Sequence, residues 1–221
     1  MLGNMTIYAG GFGSGKSELA LNHAMQMAGT CSDVILADLD LVNPYFASRD
    51  LHDALRLAGI RLVAPAGNLS FGDVPAIPHE IIGLTRQENN MVIDVAGDEV
   101  GSLVLGYLSK YILSRPVYDF LLVLNPYRPF AQDLENVILL RNQLERAAHI
   151  KFTGIVSNPN LLQETSTAII RDGHAKVAGF SKALNIPIRC LVIERKFYRE
   201  LYPDYGELLK VINLYLRPEW L

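Results

Sequence analysis

The sequence has few cysteines, no long apolar run and no basic opening segment. Its two cysteines, Cys31 and Cys190, lie far apart in the 221 residues and belong to no C-x-x-C pair. The small number and wide spacing of the cysteines favour two buried free thiols in a reducing compartment. The alternative is a metal site shared between subunits. No run of 18 apolar residues occurs, and the start of the chain has no basic region followed by an apolar stretch. We therefore expect no membrane span, no secretory signal and a cytoplasmic location.

The sequence also lacks clusters of basic residues and histidines at metal-ligand spacing. Its 20 Lys and Arg residues are scattered and are offset by 23 Asp and Glu residues, which gives a net charge of −3. A nucleic-acid-binding surface needs a basic patch, so we expect no nucleic-acid partner. The five histidines share no ligand spacing and indicate no metal site of their own.

Short apolar runs alternate with longer amphipathic segments along the chain. The runs predicted as strands are residues 5–9, 34–37, 60–64, 91–95, 120–124, 152–157 and 188–193. The segments predicted as helices are residues 16–28, 49–58, 101–113, 131–148, 164–184 with a break near Gly173, and 206–216. Most of the strands lack polar/apolar alternation, as strands buried on both faces do. The pattern predicts one α/β domain over residues 1–221, with a mostly parallel sheet of about seven strands and helices on both faces.

Residues 10–17 read G-G-F-G-S-G-K-S and match the P-loop motif G-x-x-x-x-G-K-S/T in full. The motif follows a predicted strand and opens a predicted helix, which is the context that a P-loop requires. Backbone N–H groups of such a loop point at phosphate oxygens, and the helix N-terminus adds its dipole. Lys16 is expected to reach the β- and γ-phosphates, and the Ser17 hydroxyl to bind Mg²⁺. The residues expected to hold the nucleotide phosphates are Gly11, Gly13, Ser14, Gly15, Lys16 and Ser17.

Acidic residues follow two further predicted strands. Asp38 and Asp40 come after the second strand, and Asp94 ends the fourth in a D-x-x-G pattern that closes with Gly97. Because ligands of open α/β sheets sit outside the carboxyl ends of the strands, these acids are expected to converge on the P-loop. The D-x-x-G pattern suits an aspartate that holds Mg²⁺ and a glycine whose N–H meets the γ-phosphate. An aspartate at a strand end is otherwise a cap or turn residue.

With these motifs in place, the chain resembles the MinD/ParA/CobQ-type ATPases, a branch of the P-loop proteins. The resemblance rests on the P-loop, on Asp38-Leu39-Asp40 with Pro44, on Asp94 with Gly97, and on Asn125-Pro126 and Ser157-Asn158 after later strands. It implies that Asp40 orients the attacking water, that Asp38 lies near the metal and that Asn158 contacts adenine. It therefore favours ATP, and no N/T-K-x-D motif supports guanine.

The chain departs from this family at one position of the P-loop. Many members carry a second lysine five residues before the P-loop lysine, and that lysine reaches across a dimer. Here the position is Gly11. We therefore expect that any homodimer is not driven by ATP.

The leading hypothesis is a slow Mg-ATPase that acts as a nucleotide-dependent switch for an unidentified protein partner. One alternative is an ATP-dependent kinase or amide-forming synthase, which would hold a small molecule with the irregular segment 65–87 and Arg128. The other is a nucleotide-binding module with almost no turnover. The irregular segment also contains one candidate helix, residues 79–85.

Overall fold

The computed structural model describes residues 4–39, 52–64, 79–87, 89–97 and 99–216. Eight strands in these ranges are β1 (Met5–Ala9), β2 (Val34–Leu39), β3 (Ile60–Val63), β4 (Asn90–Val95), β5 (Tyr118–Leu124), β6 (Gly154–Ser157), β7 (Ile188–Glu194) and β8 (Leu209–Ile212). They form one sheet in the order β3-β2-β4-β1-β5-β6-β7-β8. Every neighbouring pair is parallel. This arrangement brings the carboxyl ends of all the strands to one edge of the sheet.

Helices connect the strands on both faces of the sheet. Those in the described ranges are α1 (Lys16–Ala28), α2 (His52–Leu57), α3 (His79–Arg86), α4 (Glu99–Leu113), α5 (Leu134–Ala148), α6 (Thr167–Leu184) and α7 (Tyr198–Tyr205). Apolar side chains of α3, α4, α5 and α6 pack on one face, and those of α1 and α2 pack on the other. Local capping sets two of the helix starts, because the side chains of Asp133 and Ser166 accept backbone N–H bonds from Asn136 and Ile169.

The predicted α/β class, the parallel sheet and the helices on both faces are confirmed. Strand β1 has the predicted bounds, and α3 confirms the short helix expected within residues 65–87, of which residues 65–78 lie outside the described ranges. None of the described helices combines the length and the apolar character that crossing a membrane requires.

Two predictions about helices were wrong. The segment 206–216 is not an α-helix: Gly206 has a positive φ of 49°, a single 3-10 turn covers Gly206–Leu208, and the chain then continues as β8, an eighth strand paired with β7. Helix α6 runs unbroken through Gly173, because the missing side chain leaves room for Pro159, whose Cβ would lie 2.5 Å from an added Cβ. Helix α7 was not predicted.

One of the two cysteines differs from the expectation, and the aromatic residues near the end of the chain have two kinds of surroundings. Cys31 is exposed rather than buried, whereas Cys190 is partly buried and its burial raises the pKa of the thiol to about 11. Phe197 and Tyr205 pack against buried residues of β7 and α7, while the rings of Tyr198 and Tyr202 are more exposed and lie 5.1 Å apart.

Candidate functional site

The P-loop connects β1 to α1 at the carboxyl edge of the sheet. Gly13 and Gly15 have φ values of 73° and 94°, a backbone conformation that side chains disfavour. Gly15 is the residue before α1, so its conformation turns the chain into the helix. The predicted strand, loop and helix therefore occur in the predicted order, and the two glycines are required by the local backbone.

Lys16 begins α1 and folds back over the loop. Its side chain is buried, with a relative exposure of 7%, and Nζ donates a hydrogen bond to the Gly11 carbonyl at 3.3 Å. The Ser14 N–H donates to the same carbonyl at 3.2 Å. The Gly11 carbonyl thus serves as an internal acceptor for both groups in this structure. A phosphate that entered the loop would take over one or both of these donors.

Asp38 and Asp94 lie side by side on neighbouring strands. They are register partners in the β2–β4 pair, and both side chains are buried. Register partners of a parallel pair point to the same face, which here is the face that α1 covers. Together with Ser17 they line a small cavity of about 20 Å³. Three predicted metal-binding residues are therefore gathered at one point.

The chemistry of this small cavity suits Mg²⁺. Carboxylate and hydroxyl oxygens are the donors that Mg²⁺ prefers, and the ion is commonly held by one or two carboxylates while it keeps several waters. Two buried carboxylates on adjacent strands also repel one another when both are charged, and a cation between them removes that cost. Asp38, Asp94 and Ser17 therefore fit the ion chemically.

A larger cavity of about 430 Å³ opens beside the P-loop. Its volume is within the range of small-molecule sites. Apart from the loop itself, its wall consists of residues from widely separated parts of the chain: Glu18, Ala96, Gly97, Asn125, Arg128, Phe130, Asn158, Asn160, Leu162, Ile212, Leu214 and Leu216. The wall combines amides with leucine and isoleucine side chains. We call this space the large cavity.

Asn158 lines the large cavity but also makes a direct contact with the P-loop. It follows β6 directly, and its buried Nδ2 donates to the Ser14 carbonyl at 2.7 Å. Asn125, which follows β5, donates in the same way to the carbonyl of Asn160 at 2.8 Å. These two amides connect the loops after β5 and β6 with the P-loop. The adenine contact of Asn158 remains a prediction.

Gly97 lies directly against the backbone of the P-loop. A Cβ added there would lie 2.9 Å from the Phe12 nitrogen and 3.0 Å from the Gly10 oxygen. Gly97 therefore lets the end of β4 approach the loop closely. The predicted bond from its N–H to a γ-phosphate remains a prediction.

Gly11 is covered by an aromatic ring. A Cβ added to Gly11 would lie 2.6 Å from the Cβ of Phe130. Any side chain at this position, a lysine included, would therefore require Phe130 to move. Gly11 and Phe130 form a matched pair, which gives a physical reason for the missing second lysine.

Arg128 adds a second cation beside the loop. Its side chain passes over Gly13, 3.5 Å from the position of an added Cβ, and it lines the large cavity. Its Nε is buried and has no hydrogen-bond partner among the described residues. Sequence reasoning named Arg128 only as a possible substrate contact.

Several wall residues were not predicted, and two residues of the predicted motifs lie outside the described ranges. No sequence signal identified Glu18. Leu214 and Leu216 were not identified because residues 206–216 were predicted to be a helix. Asp40, the predicted water-orienting acid, lies outside the described residues, as does Pro44.

No family model matches the sequence, and no curated protein matches it. The structure is similar to solved structures of FtsY. Cell division protein FtsY from Thermotoga maritima is 17% identical with a TM-score of 0.56, covering 85% of this chain and 60% of that chain. FtsY from Mycoplasma mycoides is 20% identical with a TM-score of 0.52, covering 84% and 58%.

A third similar structure contains a nucleotide. It is signal recognition particle receptor FtsY from Elizabethkingia anophelis in complex with GDP, 18% identical with a TM-score of 0.53, covering 85% of this chain and 56% of that chain. The chain thus spans less than two thirds of the length of each of these proteins. At this level of identity the similarity shows the fold, which is that of the P-loop NTPases.

Proposed function

We propose that this protein binds Mg-ATP in the large cavity and acts as a slow ATPase, with the nucleotide state controlling its interaction with a protein partner. The observation that carries the proposal is the complete P-loop, which lines a cavity of about 430 Å³ at the carboxyl edge of a parallel sheet. This is the edge where α/β sheets bind their ligands.

The phosphate end of the proposed site contains two cations. Lys16 is the P-loop lysine, and the side chain of Arg128 passes over Gly13 of the same loop. The guanidinium of an arginine always carries its charge and matches the geometry of phosphate oxygens. Both residues line the large cavity. Their position supports a polyphosphate as the ligand.

The metal end of the proposed site is the small cavity. Ser17 lines both cavities, so an Mg²⁺ held near Asp38 and Asp94 would be next to the phosphate-binding loop. Bound there, the ion would neutralise phosphate charge. Asp40 follows Asp38 by two residues and is proposed to orient water.

The wall beyond the phosphates supports adenine over guanine. Guanine presents N1–H and an amino group as donors, and a protein recognises these best with a carboxylate acceptor. Glu18 is the one acid among the described residues of the wall, and its oxygens accept backbone N–H bonds of Tyr215 and Leu216. Asparagine amides, which can donate as well as accept, and leucine side chains suit adenine.

Exposed aromatic rings beside the P-loop support a protein partner. Phe12 is 69% exposed and Phe130 is 48% exposed, and both line the large cavity. Aromatic residues are enriched at protein interfaces. A partner that covers these rings would lie next to the phosphates, where it could supply a charge that accelerates hydrolysis.

Calorimetric titration tests the proposal. Mg-ATP should bind more tightly than Mg-GTP, and Lys16→Ala should abolish binding of both while the unfolding midpoint stays close to that of the wild type. Lys182→Ala, at an exposed position near the end of α6, is the matched control and should bind normally. Near-native affinity of Lys16→Ala would reject the phosphate site, and tighter binding of Mg-GTP would reject the base assignment.

A further inference from the structure

The four residues after β8 are attached to helix α1. We call residues 213–216 the C-terminal segment. Asn22 makes two bonds with Asn213: its Nδ2 donates to the Asn213 carbonyl at 2.8 Å, and its Oδ1 accepts from the Asn213 N–H at 2.8 Å. Glu18 accepts from the Tyr215 N–H at 2.8 Å and from the Leu216 N–H at 3.1 Å. Two side chains of α1 thus bind the backbone of this segment.

These bonds give the segment a direction. Asn22 lies one turn after Glu18 on the same helix face, about 6 Å along the axis. Because Asn213 is bound at Asn22 and Leu216 at Glu18, the segment runs against the direction of α1, towards the P-loop. Three residues of extended chain cover about 10 Å, enough for this distance. The bonds to Glu18 are the ones nearest the phosphate site.

Apolar side chains at alternate positions from Ile212 onward share one environment. Ile212, Leu214 and Leu216 all line the large cavity, as alternate residues of an extended chain on one side do. Leu216 also lines the small cavity beside Asp38 and Asp94. The backbone bonds to Glu18 therefore hold an apolar stripe in place over both cavities.

Glu18 is suited to this task by chemistry and position. A carboxylate that accepts two backbone N–H groups forms stronger hydrogen bonds than a neutral amide does, and it has an acceptor for each. Glu18 also follows Ser17 directly, so the wall is attached next to the residue expected at the metal. The attachment leaves the phosphate-binding N–H groups of the loop untouched.

We propose that Glu18 is a positioning residue that fixes the C-terminal segment as the apolar wall against which the base of the nucleotide packs. The inference rests on the proposed function. It adds that Leu214 contacts the base and that nucleotide and segment stabilise one another. The stabilisation is reciprocal because binding of the first partner must favour the second by the same factor.

Affinities for two ligands distinguish the contribution of the wall from that of the phosphate site. Glu18→Gln should weaken Mg-ATP binding about tenfold, within the usual range of coupling between sites. Its affinity for Mg-tripolyphosphate, which has no base, should change less than about twofold. Leu214→Ser should give the same pattern, although it substitutes no residue of α1. Glu135→Gln is the matched control, because Glu135 is an exposed acid in the first turn of α5 and should change neither affinity.

Hydrogen exchange measures the segment itself. Mg-ATP should slow exchange of the Tyr215 and Leu216 amides in the wild type, Mg-tripolyphosphate should do so much less, and Glu18→Gln should speed exchange. Equal weakening of both ligands, or unchanged Mg-ATP affinity in both Glu18→Gln and Leu214→Ser, would overturn this inference alone. A wild-type protein that binds neither ligand would overturn the proposed function and this inference with it.

Discussion

Gly97→Ala adds a single methyl group at the point where β4 meets the P-loop. The nearest atoms to the added Cβ are backbone atoms, namely the Phe12 nitrogen at 2.9 Å, the Gly10 oxygen at 3.0 Å and the Gly11 carbon at 3.1 Å. None of them belongs to a side chain that could rotate away. Gly97 is also not among the glycines with positive φ, so the backbone itself accepts alanine. The effect of this substitution is therefore steric contact with the loop.

The size of the effect follows from the cost of overpacking. Forcing an extra methyl group into a tight site costs about 1–3 kcal/mol. If the P-loop moves to relieve the contact, the steric cost reappears when the loop adopts its phosphate-binding conformation, so it weakens nucleotide binding. Mg-ATP affinity should then fall about 5- to 150-fold, since about 1.4 kcal/mol corresponds to a factor of ten. If the loop holds its place, the same energy should appear as a lower free energy of unfolding.

Calorimetric titration and urea unfolding of the same samples test both forms of the effect. Gly83→Ala and Gly179→Ala are controls, because a Cβ at either position meets no atom within 4 Å and both lie inside helices. Each control should leave Mg-ATP affinity unchanged and raise stability by about 0.5–1 kcal/mol. If Gly97→Ala behaves like the controls, the close approach between β4 and the P-loop is refuted.

The remaining predictions concern catalysis, pH and self-association. Asp40→Asn should slow hydrolysis far more than it weakens nucleotide binding. Asp94→Asn should reduce the Mg²⁺ dependence of the hydrolysis rate and of the affinity. Equal losses of rate and affinity in the two variants would contradict these roles. Burial lowers the pKa of His23 to about 4, so the unfolded chain binds more protons below pH 6.5. Stability should be unaffected by this group above pH 6.5 and should fall by about 3 kcal/mol as the pH drops towards 4. The free energy of unfolding of His23→Gln, measured in urea, should not show this loss. A pH profile identical to that of the wild type would refute the role of His23. Light scattering of the Asp40→Asn variant should show no ATP-specific dimer, because Phe130 covers Gly11 where a cross-subunit lysine would lie; a dimer with ATP but not with ADP would contradict this.

The central strands could be predicted because burial on both faces leaves a local signal. Strands β1 and β4 are inside the sheet and covered by helices, so their sequences are short and mostly apolar, a pattern that favours a buried strand. The edge strand β8 has no such signal. Its leucine and isoleucine residues fit a helical period as well as an extended one, and the choice depends on pairing with β7 and on the backbone of Gly206.

The candidate site divides in the same way. The P-loop is contiguous in the sequence, so its residues and their order could be predicted from eight positions. Asp38 and Asp94 could be predicted to converge because parallel strands end at one edge. The wall of the large cavity could not be predicted, because Glu18 and Tyr215 are 197 positions apart and meet only after the sheet has formed.

The first turn of α1 explains why one short motif can serve a site built from the whole chain. Successive helical residues point about 100° apart, so Lys16, Ser17 and Glu18 face three different directions. Lys16 contacts the backbone of the P-loop, and Ser17 lines the small cavity. Glu18 binds the backbone of the C-terminal segment. A change in the orientation of this turn would therefore affect the phosphate, metal and wall contacts together. Glu18→Gln and Leu214→Ser keep Lys16 and Ser17 in place, so they test the wall with less disturbance of the phosphate and metal contacts than substitutions of Lys16 or Ser17 would.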